Sequence, residues 1–234
     1  MRVLLTRPEK EGRRTAAQLA ALGHEPVLAP LIRIVGTPAT IPDEPFDGLV
    51  VTSVQALNTP GAPVIPERLL KTPFFCVGGR AAEAAAQLGF KQVEPAAPTA
   101  ADLVMLLSFA VRKGGKLLYL AGRERKPDLE IKLGQFGIAP IVIEAYEARA
   151  VDKLPDNAHD ALWDGRIEAV LHFSRRSAEL FVDLAQRAGV AAPAARARHC
   201  AISSDSAEPL RDFTTNLRVA RTPNSRSLFD CLDG

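Results

Sequence analysis

Short apolar runs alternate with alanine- and leucine-rich stretches along the whole chain, and this rhythm restricts the fold more than any other feature. The runs are RVLLT, EPVLA, GLVVTS, FFCVG, LLYLAG, PIVIEAY, AVLHFS, CAISS and RVAR. Most lack apolar–polar alternation, as strands buried on both faces do. The stretches between them predict helices over 10–22, 80–88, 101–112, 127–136, 176–188 and 205–213. Several run into a glycine (Gly23, Gly89, Gly137, Gly189), the residue that most readily closes a helix. A strand–helix alternation of this kind implies parallel sheets with right-handed crossovers, hence an α/β fold.

The rhythm also repeats. CVGGRAAEAAAQL (76–88) resembles AISSDSAEPLRDF (201–213) at an offset of 125, a register that pairs Pro98 with Pro223 and Leu103 with Leu228. At an offset of 121, Ser53 pairs with Ser174. Two copies of one α/β unit are therefore expected. The extended segments 29–38 and 143–152 are the best places for the chain to cross between them. Those crossings put 1–33 with 149–234 in a first, discontinuous domain and 36–145 in a second, with linkers near 34–36 and 146–149. Gly36 and the scarcity of side-chain anchors there predict a hinge.

Composition narrows the partners. A net charge of +2 over 234 residues is too small to imply a nucleic-acid partner. No apolar run is long enough to span a bilayer, and MRVLLTRPEK lacks a secretory apolar region or cleavage site, which reads as cytoplasmic. The cysteines (Cys76, Cys200, Cys231) and histidines (His24, His159, His172, His199) show no metal-ligand spacing, so no metal is expected. Cys76 and Cys200 should be buried thiols.

In open parallel sheets, ligands bind beyond the carboxyl ends of the strands, where helix N-termini present free N–H groups. The residues at those ends share one chemistry: Thr6 and Arg7; Thr52 and Ser53; Gly78, Gly79 and Arg80; Gly122, Arg123 and Arg125; Ser174, Arg175 and Arg176; Ser203, Ser204 and Ser206. Hydroxyls, glycine backbone and arginine suit a ligand with several anionic oxygens. Each Ser or Thr alone is more often a helix cap, and only their recurrence favours a ligand. His172 shares a strand with Ser174, but no nucleophile elbow accompanies it, and a packed histidine is expected. No dinucleotide or Walker pattern is present. Trp163 is expected to pack a helix against its sheet. Tyr146, one of two tyrosines, falls on the second crossing, either covering it or facing the space between the lobes.

In this order, LLTRPE, APLIRI, DGLVVTSVQAL, FCVGGRAAEAAAQLGF, LLYLAGRERKPDLEIKLGQFG, EAYEA, VLHFSRRSAELF and CAISSDSAEPLRD resemble the uroporphyrinogen-III synthase family of tetrapyrrole biosynthesis. The resemblance implies two flavodoxin-like parallel-sheet lobes joined by a two-stranded linker, with the active site in a cleft between them. It implies a cofactor-free lyase, monomeric, that cyclises the linear tetrapyrrole hydroxymethylbilane with loss of water and inversion of ring D through a spiro intermediate. It places the family's tyrosine on Tyr146, and substrate contacts on Arg7, Thr52, Ser53, Gly78, Arg80, Gly122, Arg123, Ser174, Arg175, Arg176, Ser203 and Ser206. The chain departs from the family at Ala81, where a threonine is usual, and at Arg175, which replaces a common proline. A binding protein for a polyanionic ligand, without turnover, is the alternative from another class. A nucleotide-sugar transferase is a third, for which no nucleotide site is apparent.

Overall fold

The computed structural model describes residues 1–233. In chain order, β1 (Arg2–Leu5) leads into α1 (Glu9–Ala21) and β2 (Glu25–Leu28), and β3 (Ile32–Gly36) follows directly. Next come β4 (Gly48–Val51), a single turn α2 (Gln55–Asn58), β5 (Phe74–Cys76), α3 (Gly79–Leu88), α4 (Ala100–Ala110), β6 (Leu117–Gly122), α5 (Asp128–Gln135) and the long β7 (Ile141–Ala150). The remainder holds α6 (Asp156–Trp163), β8 (Ala169–His172), α7 (Arg175–Arg187), α8 (Ala191–Arg196), β9 (Arg198–Ala201), α9 (Ser204–Ala207), β10 (Leu217–Val219) and α10 (Ser225–Phe229). The expected helix over 205–213 breaks up. Pro209 admits only the short α9 and a 3₁₀ turn, Glu208–Leu210. Among the described residues, no helix is long and apolar enough to cross a membrane.

The chain divides into two compact units, Met1–Arg33 with the segment from Arg149 onward, and Ile34–Ala148. The first is built on the sheet β10-β9-β8-β1-β2, in which the β1–β2, β1–β8, β8–β9 and β9–β10 pairs are all parallel. Counted by their own succession, these strands run 2-1-3-4-5, the flavodoxin-like order. The second sheet is β3-β7-β6-β4-β5, with parallel pairs β4–β5, β4–β6 and β6–β7. Beyond β5, the segment 93–97 bridges Phe74 and Val77 in parallel, as β10 lies beside β9. The two sheets therefore superpose in order if β8, β9 and β10 correspond to β4, β5 and 93–97, and β1 and β2 to β6 and β7. The second unit is a circular permutation of the first. This is why the sequence repeat runs from β4 and β8 onward, Ser53 with Ser174 and 76–88 with 201–213, and not from the start of each unit.

Residues 34–36 lie in β3 and residues 146–149 in β7. Contrary to the expected scarcity of anchors, they are tied by both backbone and side chains: Ala148 N donates to Glu124 Oε2 (2.8 Å) and Glu147 pairs with Arg123. Gly36 N donates to Pro60 O (3.2 Å) and Thr37 N to Ala145 O (3.1 Å), while Thr37 Oγ1 donates to Glu144 O. A Cβ on Gly36 would collide with the backbone of Gly61 and Ala62, so the glycine is required here by close chain approach.

Each sheet is sandwiched between apolar layers. In the first unit Leu4, Val170, Phe181 and Leu184 form one layer, and Val3, Leu5, Leu171 and Leu228 form the other. Complete burial of a side chain such as Phe181 contributes about 1.5–3 kcal/mol. Cys76 and Cys200 are buried thiols. Trp163 departs from its expected packing. The buried stripe of α6 passes through Ala158, Ala161 and Leu162, which leaves Trp163 64% exposed and stacked on His159.

His172 is a packed histidine with an unexpected partner. Its Nε2 lies 3.0 Å from Nδ1 of His199, the rings stack at 12°, and both side chains are fully buried beside Phe181. His199 Nε2 lies 3.0 Å from Ala194 O. A carbonyl can only accept, so His199 carries its proton on Nε2 and accepts from His172 Nε2–H. Burial lowers both histidines, His172 well below its usual value with a contribution from His199, and His199 to about 4. The unfolded chain therefore binds more protons than the folded one below about pH 6.5, and stability falls as pH drops toward 4, by about 1.4 kcal/mol per pH unit for each proton involved. Urea midpoints should be level above about pH 7 and decline between pH 6.5 and 5. A midpoint unchanged down to pH 5 would show that the pair takes up protons without disrupting the fold.

Candidate functional site

In each sheet the strand order reverses at one point, and there the diverging loops leave a crevice beyond the carboxyl ends. In the first unit this point lies between β1 and β8. Thr6 donates from Oγ1 to Leu171 O (3.3 Å), tying the two strand ends. Arg7 lays its guanidinium over the Phe173 ring, 4.1 Å from the centroid, and its Nη1 donates to Thr15 Oγ1 (3.1 Å). Burial lowers the Arg7 pKa, opposed by Glu11 and assisted by Arg14. Its Nε is buried with no hydrogen-bond partner. That leaves a donor that an anionic oxygen would satisfy.

The hydroxyls around Arg7 serve the backbone. Ser174 caps α7, accepting from Ser177 N (3.2 Å), and its Oγ donates to Ser177 Oγ. Ser203 and Ser206 form a reciprocal capping box on α9. Arg175 pairs with Glu179 (2.9 Å) and Asp205 (3.5 Å), joining the starts of α7 and α9, and the Glu179 hydrogen bond raises its pKa. Arg176, one residue on, is exposed.

The corresponding point of the second unit lies between β4 and β6. Here the ladder between β6 and β7 slips at Ala121/Gly122, so that Gly122 stands opposite Tyr146. A Cβ added to Gly122 would meet Tyr146 Cζ at 2.8 Å, Cε2 at 2.9 Å and Oη at 3.0 Å. The phenol ring thus lies flat on a glycine, a seat that no other residue type allows. Arg123 locks the strand beneath it. Its backbone N donates to Tyr146 O (2.9 Å), and its side chain pairs with Glu144 (2.9 Å) and Glu147, either side of the tyrosine. The Arg123 hydrogen bond and charge lower the Glu144 pKa. Arg125 donates from Nη1 to Gly122 O (3.1 Å) and from Nε to Glu130 (2.8 Å), fixing the glycine from its other side.

Beside this seat, Thr52 Oγ1 lies 3.0 Å from the hydroxyl of Tyr119. Ser53 accepts from Gln55 N (3.3 Å) in a local turn. Gly78 begins α3 at φ 79° with open space where a Cβ would stand, and Arg80 is exposed on the same helix. Arg7 and Ser174 therefore gather at one switch point, and Thr52, Ser53, Gly122, Arg123 and Tyr146 at the other. Gly78 and Arg80 lie one strand along from the second, and Ser203 and Ser206 one strand along from the first. Sequence reasoning missed Tyr119, although it is the only other tyrosine. It also missed Phe173 under Arg7 and the carboxylates Glu144 and Glu147 that occupy Arg123. Among the described residues, no group of three or more His, Cys, Asp or Glu side chains is arranged to hold a metal ion.

The family profile described as uroporphyrinogen-III synthase HemD matches residues 13–230. The chain belongs to the uroporphyrinogen-III synthase family. Among solved structures, uroporphyrinogen-III synthetase from Helicobacter pylori 26695 matches at 16% identity and TM-score 0.60, covering 99% of this chain and 98% of that one. A mutant uroporphyrinogen III synthase from the extremely thermophilic bacterium Thermus thermophilus matches at 17% identity and TM-score 0.47, over 99% and 97% of the two chains. The first likeness shows that the fold is shared. No curated protein sequence matches the chain.

In a synthase of this family the Gly122 seat has a direct consequence for substitution. Gly122→Ala must push the Tyr146 ring outward by several tenths of an ångström, because its Cβ would sit closer than van der Waals contact. Overpacking of this kind costs about 1–3 kcal/mol. We expect kcat to fall about tenfold or more while the fold survives. Synthase kinetics with a parallel urea titration check this, and unaltered kcat in the folded variant would show that the ring's position is immaterial.

Proposed function

We propose that this chain is a working uroporphyrinogen-III synthase that converts hydroxymethylbilane to uroporphyrinogen III, losing water and inverting ring D. Family membership supports the reaction class, a cyclising dehydration by a lyase. One structural observation carries the assignment of a catalytic group: the Tyr146 phenol seated on Gly122 beyond the carboxyl end of β6, with its strand held by Arg123. Loss of the bilane's hydroxyl leaves a cation delocalised over a pyrrole, and the departing oxygen needs a proton. A phenol O–H is a hydrogen-bond donor and can give its proton to the oxygen as the C–O bond breaks. Ring closure releases a pyrrolic proton, so the phenol is restored and the cycle needs no net acid.

The remaining residues hold the substrate. Arg7 offers the unpaired Nε donor, Thr52 and Ser53 offer hydroxyls, and the open space at Gly78 lets a carboxylate approach the start of α3. Arg80 and Arg176 are exposed and supply positive charge. Arg123 and Arg175 act chiefly within the protein, through Glu144 and Glu147 and through Glu179 and Asp205. Ser174, Ser203 and Ser206 contribute as caps that fix the N-termini of α7 and α9, whose backbone N–H groups complete the anion-binding edge of the sheet. The enzyme works as a cytoplasmic monomer on this tetrapyrrole, without nucleic acid and without a cofactor.

Hydroxymethylbilane closes spontaneously, without inversion, to the type I isomer. Incubation with the protein followed by oxidation should yield type III porphyrin. Type I alone, with and without protein, would overturn the enzyme reading in favour of a polyanion-binding protein. General acid catalysis typically supplies about 10²–10⁴-fold. The pyrrole expels this leaving group readily, so we expect Tyr146→Phe to lower kcat by about 100-fold or less with little change in KM. Wild-type kcat in the folded variant would remove Tyr146 from the mechanism.

A further inference from the structure

The buried hydroxyl of Tyr119 is used by no step above. Tyr119 lies on β6 with only 3% of its surface exposed, and its Oη has one partner, Thr52 Oγ1 at 3.0 Å. Burial raises its pKa, so the phenol keeps its proton at neutral pH. That proton needs an acceptor, because a buried donor left unpaired is strongly disfavoured. Among the described residues Thr52 Oγ1 is the only acceptor in contact with it. The direction of the hydrogen bond is thereby fixed: Tyr119 donates and Thr52 accepts. A hydroxyl has one proton, and that of Thr52 is then turned away from Tyr119. Thr52 is half-buried at the carboxyl end of β4, beside the crevice at the switch point.

We infer that Tyr119 is a positioning residue that turns the Thr52 proton away from itself, so that Thr52 donates to an acceptor oxygen such as a substrate carboxylate. The inference rests on the synthase reading and deepens it by assigning the chemistry of one subsite. A tetrapyrrole presents both carboxylates and N–H groups, and a freely rotating threonine would accept from one as readily as it donates to the other. Tyr119 takes one of the two Thr52 lone pairs and leaves its proton for the ligand, which biases this position toward a carboxylate.

The test is the kinetics of Tyr119→Phe, Thr52→Val and the double variant on hydroxymethylbilane, with urea midpoints measured in parallel. Removing the phenol hydroxyl should raise KM about three- to tenfold and leave kcat within about twofold. Thr52→Val should raise KM at least as much, and Tyr119→Phe should add little in that background, because the two act as one unit. Thr52→Ser should recover most of what Thr52→Val loses. An unchanged KM in Tyr119→Phe, a loss confined to kcat, or full additivity with Thr52→Val would each overturn the inference. If Tyr119→Phe does not fold, the contrast between Thr52→Ser and Thr52→Val still decides: equal KM in the two would show that no hydroxyl is needed there. Wild-type protein that forms no type III isomer would defeat the synthase reading itself, whereas a normal wild-type product with unaltered KM in Tyr119→Phe defeats only the role of Tyr119.

Discussion

The contact on which the site depends is a ring lying on a glycine. Gly122 ends β6, the ladder slips by one residue at Ala121/Gly122, and the Tyr146 phenol fills the space a side chain would have taken. Everything near it maintains this contact. Arg123 binds the carboxylates on either side of the tyrosine, and Arg125, held by Glu130, grips the Gly122 carbonyl. These guanidiniums are partly exposed, and their ion pairs add little to global stability. Their effect is geometric, because bidentate and multiply bonded arginines restrict where a strand end can go.

The permuted relation between the units gives this arrangement a counterpart. Each unit has an arginine just after the strand that borders its switch point, Arg7 after β1 and Arg123 after β6. Arg123 is occupied by Glu144 and Glu147, whereas Arg7 rests on Phe173 with a buried Nε unpaired. The two arginines thus serve differently: Arg123 braces the strand that carries Tyr146, and Arg7 packs on an aromatic ring. Hydroxyls divide the same way. Ser174 and Ser203 cap helices, while Thr52 pairs with the hydroxyl of Tyr119.

Much of this was legible in the sequence because strands buried on both faces appear as unbroken apolar runs, and because a glycine such as Gly89 or Gly189, at φ 94° and 72°, marks a helix end. The repeat was legible too, although not its permutation, which exists only in the order of strands across the sheets. What stayed hidden depends on cross-strand register. His172 and His199 are 27 residues apart and meet because β8 and β9 are neighbours. Tyr146 meets Gly122 only through a bulge that no periodicity records. The pairing of Arg123 with Glu144 and Glu147 was hidden because these partners lie on a different strand. Trp163 looked like core because large aromatics usually are, yet it sits one step off the buried stripe of α6.

The central claim is that the phenol on Gly122 delivers the proton to the departing hydroxyl. The solvent deuterium isotope effect on kcat, compared between the wild-type enzyme and Tyr146→Phe, tests it most directly. Proton donation by Tyr146 during C–O cleavage predicts a clear effect in the wild type that collapses toward unity in the Phe variant. An effect of the same size in both would mean that the proton comes from elsewhere, and that the seat on Gly122 serves only to shape the site.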